Sequence, residues 1–171
     1  MGRKAVSKPL GPNSKKVVFM SRDPFQVLVL PYYFNDIAQK YEYAVFQRYD
    51  ASYWQFIAGG GETGETILES AKRESWEEAK IPEELHFFKL ETISSISVNN
   101  FKNPLQWGGD IYVIPEYCFA VEVKNKKLFL SDEHIEYQWS GFEEAFNLLK
   151  YDGNKTALWE LNQRLLKIAK Q

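Results

Sequence analysis

The chain has 171 residues, 44% hydrophobic and 26% charged, with a formal net charge of −2. That length suits one domain with a full core, and the mild acidity argues against an electrostatic nucleic-acid binder. Cys118 is the single cysteine, so an internal disulfide framework is excluded, and no apolar run approaches the roughly 18 residues of a membrane span.

Taken from the start, Met1–Lys15 is basic and carries Gly2, Pro9, Gly11 and Pro12, which reads as a flexible arm ahead of a single domain over 16–171. It lacks the apolar core of a secretory signal, so a cytoplasmic location is expected. Val17–Met20 reads as a short strand, and Phe25–Leu30 and Tyr43–Phe46 as firmer ones, dense in aromatic and apolar residues. Pro31–Lys40 reads as the loop between them. Arg48 closes the second strand, and Trp54–Ile57 feeds directly into Gly59-Gly60-Gly61.

The stretch Gly59–Ile81, GGGETGETILESAKRESWEEAKI, organises the rest. Three glycines suggest a loop that lets backbone approach a ligand, and Thr66 is a reasonable cap for a helix running to Lys80. Ile67, Ala71, Ser75 and Ala79 recur every four residues as a packing face. Glu74, Glu77 and Glu78 crowd another face, where like charges cost about 0.2–0.5 kcal/mol per pair. Arg73 can pair with Glu77 or Glu69, which leaves Glu74 and Glu78 without an evident local cation. Such a patch is either a solvated acidic face or a seat for a hard divalent cation such as Mg²⁺.

Beyond it, Pro82-Glu83-Glu84 reads as a turn and His86–Val98 as a strand. Asn99–Asp110 has loop composition but carries Phe101 and Trp107, which suits a binding lid or a plain connector. Ile111–Val123 is the longest strand candidate, with Pro115 marking an edge or bulge. Its alternation puts Glu116, Cys118, Ala120 and Glu122 on one face. Leu128–Leu130 and Ile135–Trp139 read as brief strands, and Phe142–Leu149 and Thr156–Ala169 as helices split by Asp152-Gly153-Asn154. Strands on both sides of a central helix, closed by C-terminal helices, give an α/β layered domain with a mixed sheet. Cys118 reads as a buried small hydrophobe. His86 and His134 lack metal-ligand spacing and read as surface or structural positions.

Gly59, Glu65, Arg73, Glu74, Glu77, Glu78 and Ile81 stand at the spacing of the Nudix box, so the chain resembles the Nudix hydrolase family. Ser75 replaces an aliphatic residue of that pattern. Lys80 replaces its terminal glycine, where a left-handed residue would cost about 1 kcal/mol. The resemblance implies a Nudix-like α/β/α sandwich and hydrolysis of a phosphoanhydride bond. It further implies that Glu74, Glu77 and Glu78 ligate Mg²⁺ (Mn²⁺ as a substitute), with Glu74 the choice for base. The Ala58 carbonyl would add an oxygen, Gly59 and Gly60 would line the substrate, and Arg73 would hold the glutamates in place. Glu116 is the choice for a further metal ligand, against a solvent-facing charge on an edge strand.

Arg48, Tyr53-Trp54-Gln55, Pro115–Phe119 and Glu133-His134 with Trp139 are similar in placement to bacterial dATP and dihydroneopterin triphosphate pyrophosphohydrolases. In that likeness Arg48 contacts phosphate, against a surface arginine at the end of a strand; separately, the rings of Trp107 and Phe101 suit stacking on a planar base or pterin. The proline of ADP-ribose hydrolases and the tyrosine of dinucleoside polyphosphate hydrolases are absent; Ile96, Ser97 and Asn99 stand in those regions. A nucleotide-sugar or dinucleotide pyrophosphatase remains the alternative enzyme, and a non-catalytic ligand sensor the alternative class. The expected partner is a small nucleotide or pterin triphosphate, bound by a monomer or homodimer.

Overall fold

The computed structural model describes residues 21–170. The expected arm over Met1–Lys15 and the strand over Val17–Met20 lie outside them. In chain order the strands are β1 (Arg22–Asn35), β2 (Lys40–Arg48), β3 (Trp54–Gln55), β4 (Ile57–Glu62), β5 (Phe87–Ser97), β6 (Val113–Glu122) and β7 (His134–Ser140). The helices are α1 (Ile67–Ala79), between β4 and β5, then α2 (Phe142–Leu148) and α3 (Asp152–Ile168).

All seven strands join one mixed sheet of order β3-β2-β1-β6-β5, with β4 added to β1 and β7 to β2. Among the described strands only β1 and β6 pair in parallel. Alternation along β1 sends Val27 and Val29 to one face and Leu28 and Leu30 to the other. The first face packs against Ala71 and Ala79 of α1; the second packs against Ala145 of α2 and Leu158 and Leu161 of α3. The result is the expected three-layer α/β/α sandwich, hydrophobic on both sheet faces.

Several boundaries differ from expectation, each for a local reason. Pro31–Lys40 is not a loop: β1 continues through Pro31 to Asn35 and β2 starts at Lys40. Pro31 falls where β1 changes partners, since β4 pairs as far as Val29 and β2 pairs from Tyr32. A residue without an N–H is tolerated at such a handover. The three glycines belong to β4 rather than to a loop: Gly59 and Gly60 pair with β1, and Gly61 falls where the register shifts. Leu128–Leu130 forms no strand, although Leu128 is buried in the α1-side core. Asp152-Gly153-Asn154 does not split the helices but opens α3. Pro115 marks no sheet edge: β6 lies between β1 and β5, and Pro115 stands one residue before its pairing with β1 begins. Among the described residues no helix is long and apolar enough to cross a membrane.

Candidate active site

Helix α1 begins with a complete capping box. The Thr66 hydroxyl accepts from the Glu69 N–H, and the Glu69 carboxylate accepts from the Thr66 N–H. Glu69 is therefore occupied, and Arg73 turns elsewhere. Its Nε donates to Glu65 Oε1 at 2.7 Å and its Nη2 to Glu65 Oε2 at 3.0 Å and to the Gly60 carbonyl at 2.8 Å. Its Nη1 donates to Glu74 Oε1 at 2.8 Å and Glu77 Oε2 at 3.1 Å. One guanidinium thus ties the loop before α1, the strand β4 and two carboxylates of the helix into a fixed array. Glu74 does have a local cation, contrary to the sequence reading. The same contacts hold the Glu65 carboxyl down at about 2.

The glycines of β4 are small because side chains lie over them. A Cβ on Gly59 would fall 1.9 Å from Glu74 Cδ, one on Gly60 2.1 Å from Arg22 Nε, and one on Gly61 1.9 Å from the Phe25 ring. Glycine in a strand marks this kind of close approach. Glu74 is thereby pressed onto the backbone at the floor of a cleft. Burial pushes its carboxyl up to about 7, Arg73 opposes the rise, and the charges of Glu78 and Glu77 add to it.

Glu78 is more deeply buried, and its Oε2 lies 2.6 Å from Nε2 of His134, which is itself enclosed. Burial raises the Glu78 carboxyl well above the usual range, with Glu133 adding to the rise and Arg48 opposing it. Burial lowers His134, again with Arg48 acting in the same direction. When Glu78 is ionised, the neutral imidazole donates through Nε2–H. Of the two readings, surface or structural, the surface one is excluded for His134, and its contact with Glu78 was not foreseen from the sequence. Glu77 by contrast is half exposed and faces Arg73.

The cleft has a volume of about 1000 Å³ and is lined by Ala58, Gly59, Gly60, Glu74 and Glu78 on its floor. Glu116 lines it too, buried, with its Oε2 accepting from the Gln26 amide at 2.8 Å. It stands on a central strand, so the edge-strand reading is withdrawn. Arg48 reaches the cleft from the end of β2, paired with Asp50 at 2.8 Å and Glu133 at 3.3 Å. Arg22 and Gln26, neither singled out from the sequence, line it as well, Arg22 over Gly60 and Gln26 beside Glu116, as do Gly153 and Asn154 in the first turn of α3. Asn154 is anchored there by accepting from the Phe56 N–H at 2.9 Å.

Trp107 does not line the cleft. Its indole N–H donates to the Arg22 carbonyl at 2.7 Å, and its ring meets Phe101 edge-on at 5.2 Å. Phe101 lines the cleft, as do Tyr53 and Tyr151, and the Arg22 guanidinium lies 4.7 Å from the Phe101 ring centre. Trp107 packs against both members of that pair, edge-on to Phe101 and with the Arg22 guanidinium 5.9 Å from its ring centre.

Among the described residues no three His, Cys, Asp or Glu side chains already form a metal-holding group; Glu74 and Glu77 are engaged by Arg73. The donor set nonetheless fits a hard divalent ion. Glu74 and Glu78 offer carboxylate oxygens at one cleft floor, each raised by burial and by neighbouring carboxylates (Glu78 and Glu77 for Glu74, Glu133 and Glu77 for Glu78), a condition that a cation relieves.

Comparison with known proteins bears on this arrangement. The NUDIX domain family model matches residues 27–160. A crystal structure of a Listeria monocytogenes chain assigned to the NUDIX hydrolases is 43% identical, with a TM-score of 0.76 over 85% of this chain and 97% of that one. The Haemophilus influenzae dihydroneopterin triphosphate diphosphatase is 26% identical over 111 residues, 64% of this chain and 70% of that protein. The Escherichia coli dihydroneopterin triphosphate pyrophosphohydrolase shares the fold, with a TM-score of 0.69 at 22% identity, over 85% of this chain and 99% of that one.

Proposed function

The chain belongs to the NUDIX family and is a NUDIX hydrolase, and on that premise we propose that it cleaves a nucleoside triphosphate, dATP-like, or dihydroneopterin triphosphate to a monophosphate and pyrophosphate. The observation that carries this reading is the pair of carboxylates, partly buried Glu74 and buried Glu78, on the floor of a cleft large enough for a triphosphate and a planar ring. The likeness to the H. influenzae diphosphatase supports the choice of a triphosphate.

Glu74 and Glu78, with Glu77 beside them and the Ala58 carbonyl, would hold Mg²⁺ or Mn²⁺, and Glu116 is the further carboxylate offered to it. Bound there, the ion neutralises phosphate charge and acidifies the attacking water. Arg73 fixes Glu74 by its Oε1 and leaves Oε2 toward the cleft, where it would hold the ion or take the water's proton. Water adds across the bridge between the α and β phosphorus atoms, and the bridging oxygen leaves with one of the two products. Arg48 and Arg22 meet phosphate oxygens at the cleft walls, and Phe101 meets the ring. The reading implies a cytoplasmic location, where such triphosphates are made.

The test is a substrate panel with Mg²⁺: NTPs and dNTPs, dihydroneopterin triphosphate, ADP-ribose and dinucleoside polyphosphates. The highest kcat/KM is expected for a triphosphate. Preference for ADP-ribose or a dinucleoside polyphosphate would overturn the substrate class, and binding without turnover would favour a ligand sensor.

A further inference from the structure

We propose that His134 is a positioning residue that fixes the Glu78 carboxylate for cation binding, an inference that rests on the reading of Glu78 as a metal ligand. The two side chains are 0% and 4% exposed and meet at 2.6 Å through His134 Nε2 and Glu78 Oε2. One carboxylate oxygen is thus engaged by His134, which orients a group that lines the cleft. The Phe46 ring, 5.2 Å away between centroids, packs on the imidazole and restricts its rotation.

The backbone around His134 is built for the same purpose. Lys80 ends α1 in a left-handed conformation, and its N–H donates to the Ser75 and Trp76 carbonyls. The carbonyls of Glu78 and Ala79 are left to outside donors. They are met by the segment that leads into β7: the Ser131 N–H donates to the Glu78 carbonyl at 3.0 Å and the Phe129 N–H to the Ala79 carbonyl at 3.2 Å. The His134 N–H donates back to the Ser131 carbonyl at 3.3 Å. One short segment therefore grips both the backbone and the side chain of Glu78. The pairing of β2 with β7 shifts register between Gln47 and Arg48, where His134 stands opposite Arg48. Irregularities of this kind re-aim side chains beside functional sites.

A purely structural histidine would stabilise the fold without altering the affinity of the site for a cation. A positioning histidine changes affinity, because an unheld carboxylate must be ordered on binding. Mn²⁺ alone serves as the probe, with free ion measured by electron paramagnetic resonance on the full chain without substrate, and thermal unfolding monitored in parallel.

Replacement by Gln keeps an amide N–H near the place of Nε2, whereas Asn is too short to reach Glu78. His134→Asn is expected to weaken Mn²⁺ binding about 10–100-fold while His134→Gln stays within about threefold of the unaltered protein. Should the Asn variant fail to fold, His134→Phe makes the same comparison with a ring and no donor. If Glu78→Gln binds Mn²⁺ as tightly as the unaltered protein, the ligand assignment fails and the proposal falls with it. If Glu78→Gln is weak while the Asn or Phe variant binds normally, only the positioning role is overturned.

Discussion

The Glu74 carboxyl rests against the backbone of Gly59, so closely that a Cβ on the glycine would stand 2.2 Å from both carboxylate oxygens. No side chain fits there without moving the group on which the cleft floor depends. Gly59→Ala is therefore expected to lower kcat about a hundredfold, the scale of a misplacement of about 1 Å at a reacting group. Steady-state kinetics beside a circular dichroism spectrum checks this. Normal turnover would mean that Glu74 works from another position.

Glu65 carries a pH dependence of stability. Its carboxyl is held down to about 2 in the folded chain, first by Arg73, with the Glu62 backbone and Ser70 adding to the effect, against an ordinary value of 4.5. A depressed acid contributes stability that is present in full above about 4.5 and is lost as pH falls toward about 2. Urea unfolding at a series of pH values is expected to show a shallower loss over that window for Glu65→Gln than for the unaltered protein. Parallel curves would remove Glu65 from the account.

Lys80 ends α1 at φ 54° and ψ 35°, a conformation that glycine adopts without strain. Lys80→Gly is expected to stabilise the fold by up to about 1 kcal/mol, reduced by the loss of the Lys80–Trp76 contact. Chemical denaturation measures it. Since Lys80 does not line the cleft, kcat and KM should not change.

Glu116→Gln is expected to raise the Mg²⁺ concentration for half-maximal rate about tenfold, the lower end of what altering a metal's surroundings costs. An unchanged Mg²⁺ titration would transfer the role to Glu133, which also lines the cleft. It would not pass to Glu122, which lines a separate cleft with Tyr32 and His86.

The local part of this site could be read from the chain because its spacing is local. Glu74, Glu77 and Glu78 fall on one helical face at i, i+3 and i+4, and Thr66 with Glu69 announces the cap. The packing face of Ala71, Ser75 and Ala79 was equally plain, and all three are buried. His134 was not legible: it meets Glu78 across 56 residues, and its aim depends on a register shift that leaves no local signature. The glycines misled in a different way, since a glycine reads as a loop unless one knows that Glu74, Arg22 and Phe25 lie over it. Trp107 and Phe101 carry the same aromatic signal in sequence, and only the hydrogen bond to the Arg22 carbonyl separates the support from the ring that faces the cleft.

The most direct test of the central claim is the identity of the products. A triphosphate chosen from the panel is incubated with the protein and Mg²⁺, stopped at partial turnover and resolved by ion-exchange chromatography. A monophosphate and pyrophosphate are expected in equal amounts, with both lost in Glu78→Gln. A diphosphate with orthophosphate would contradict the claim, placing the cut at the terminal phosphate instead of between the α and β phosphorus atoms.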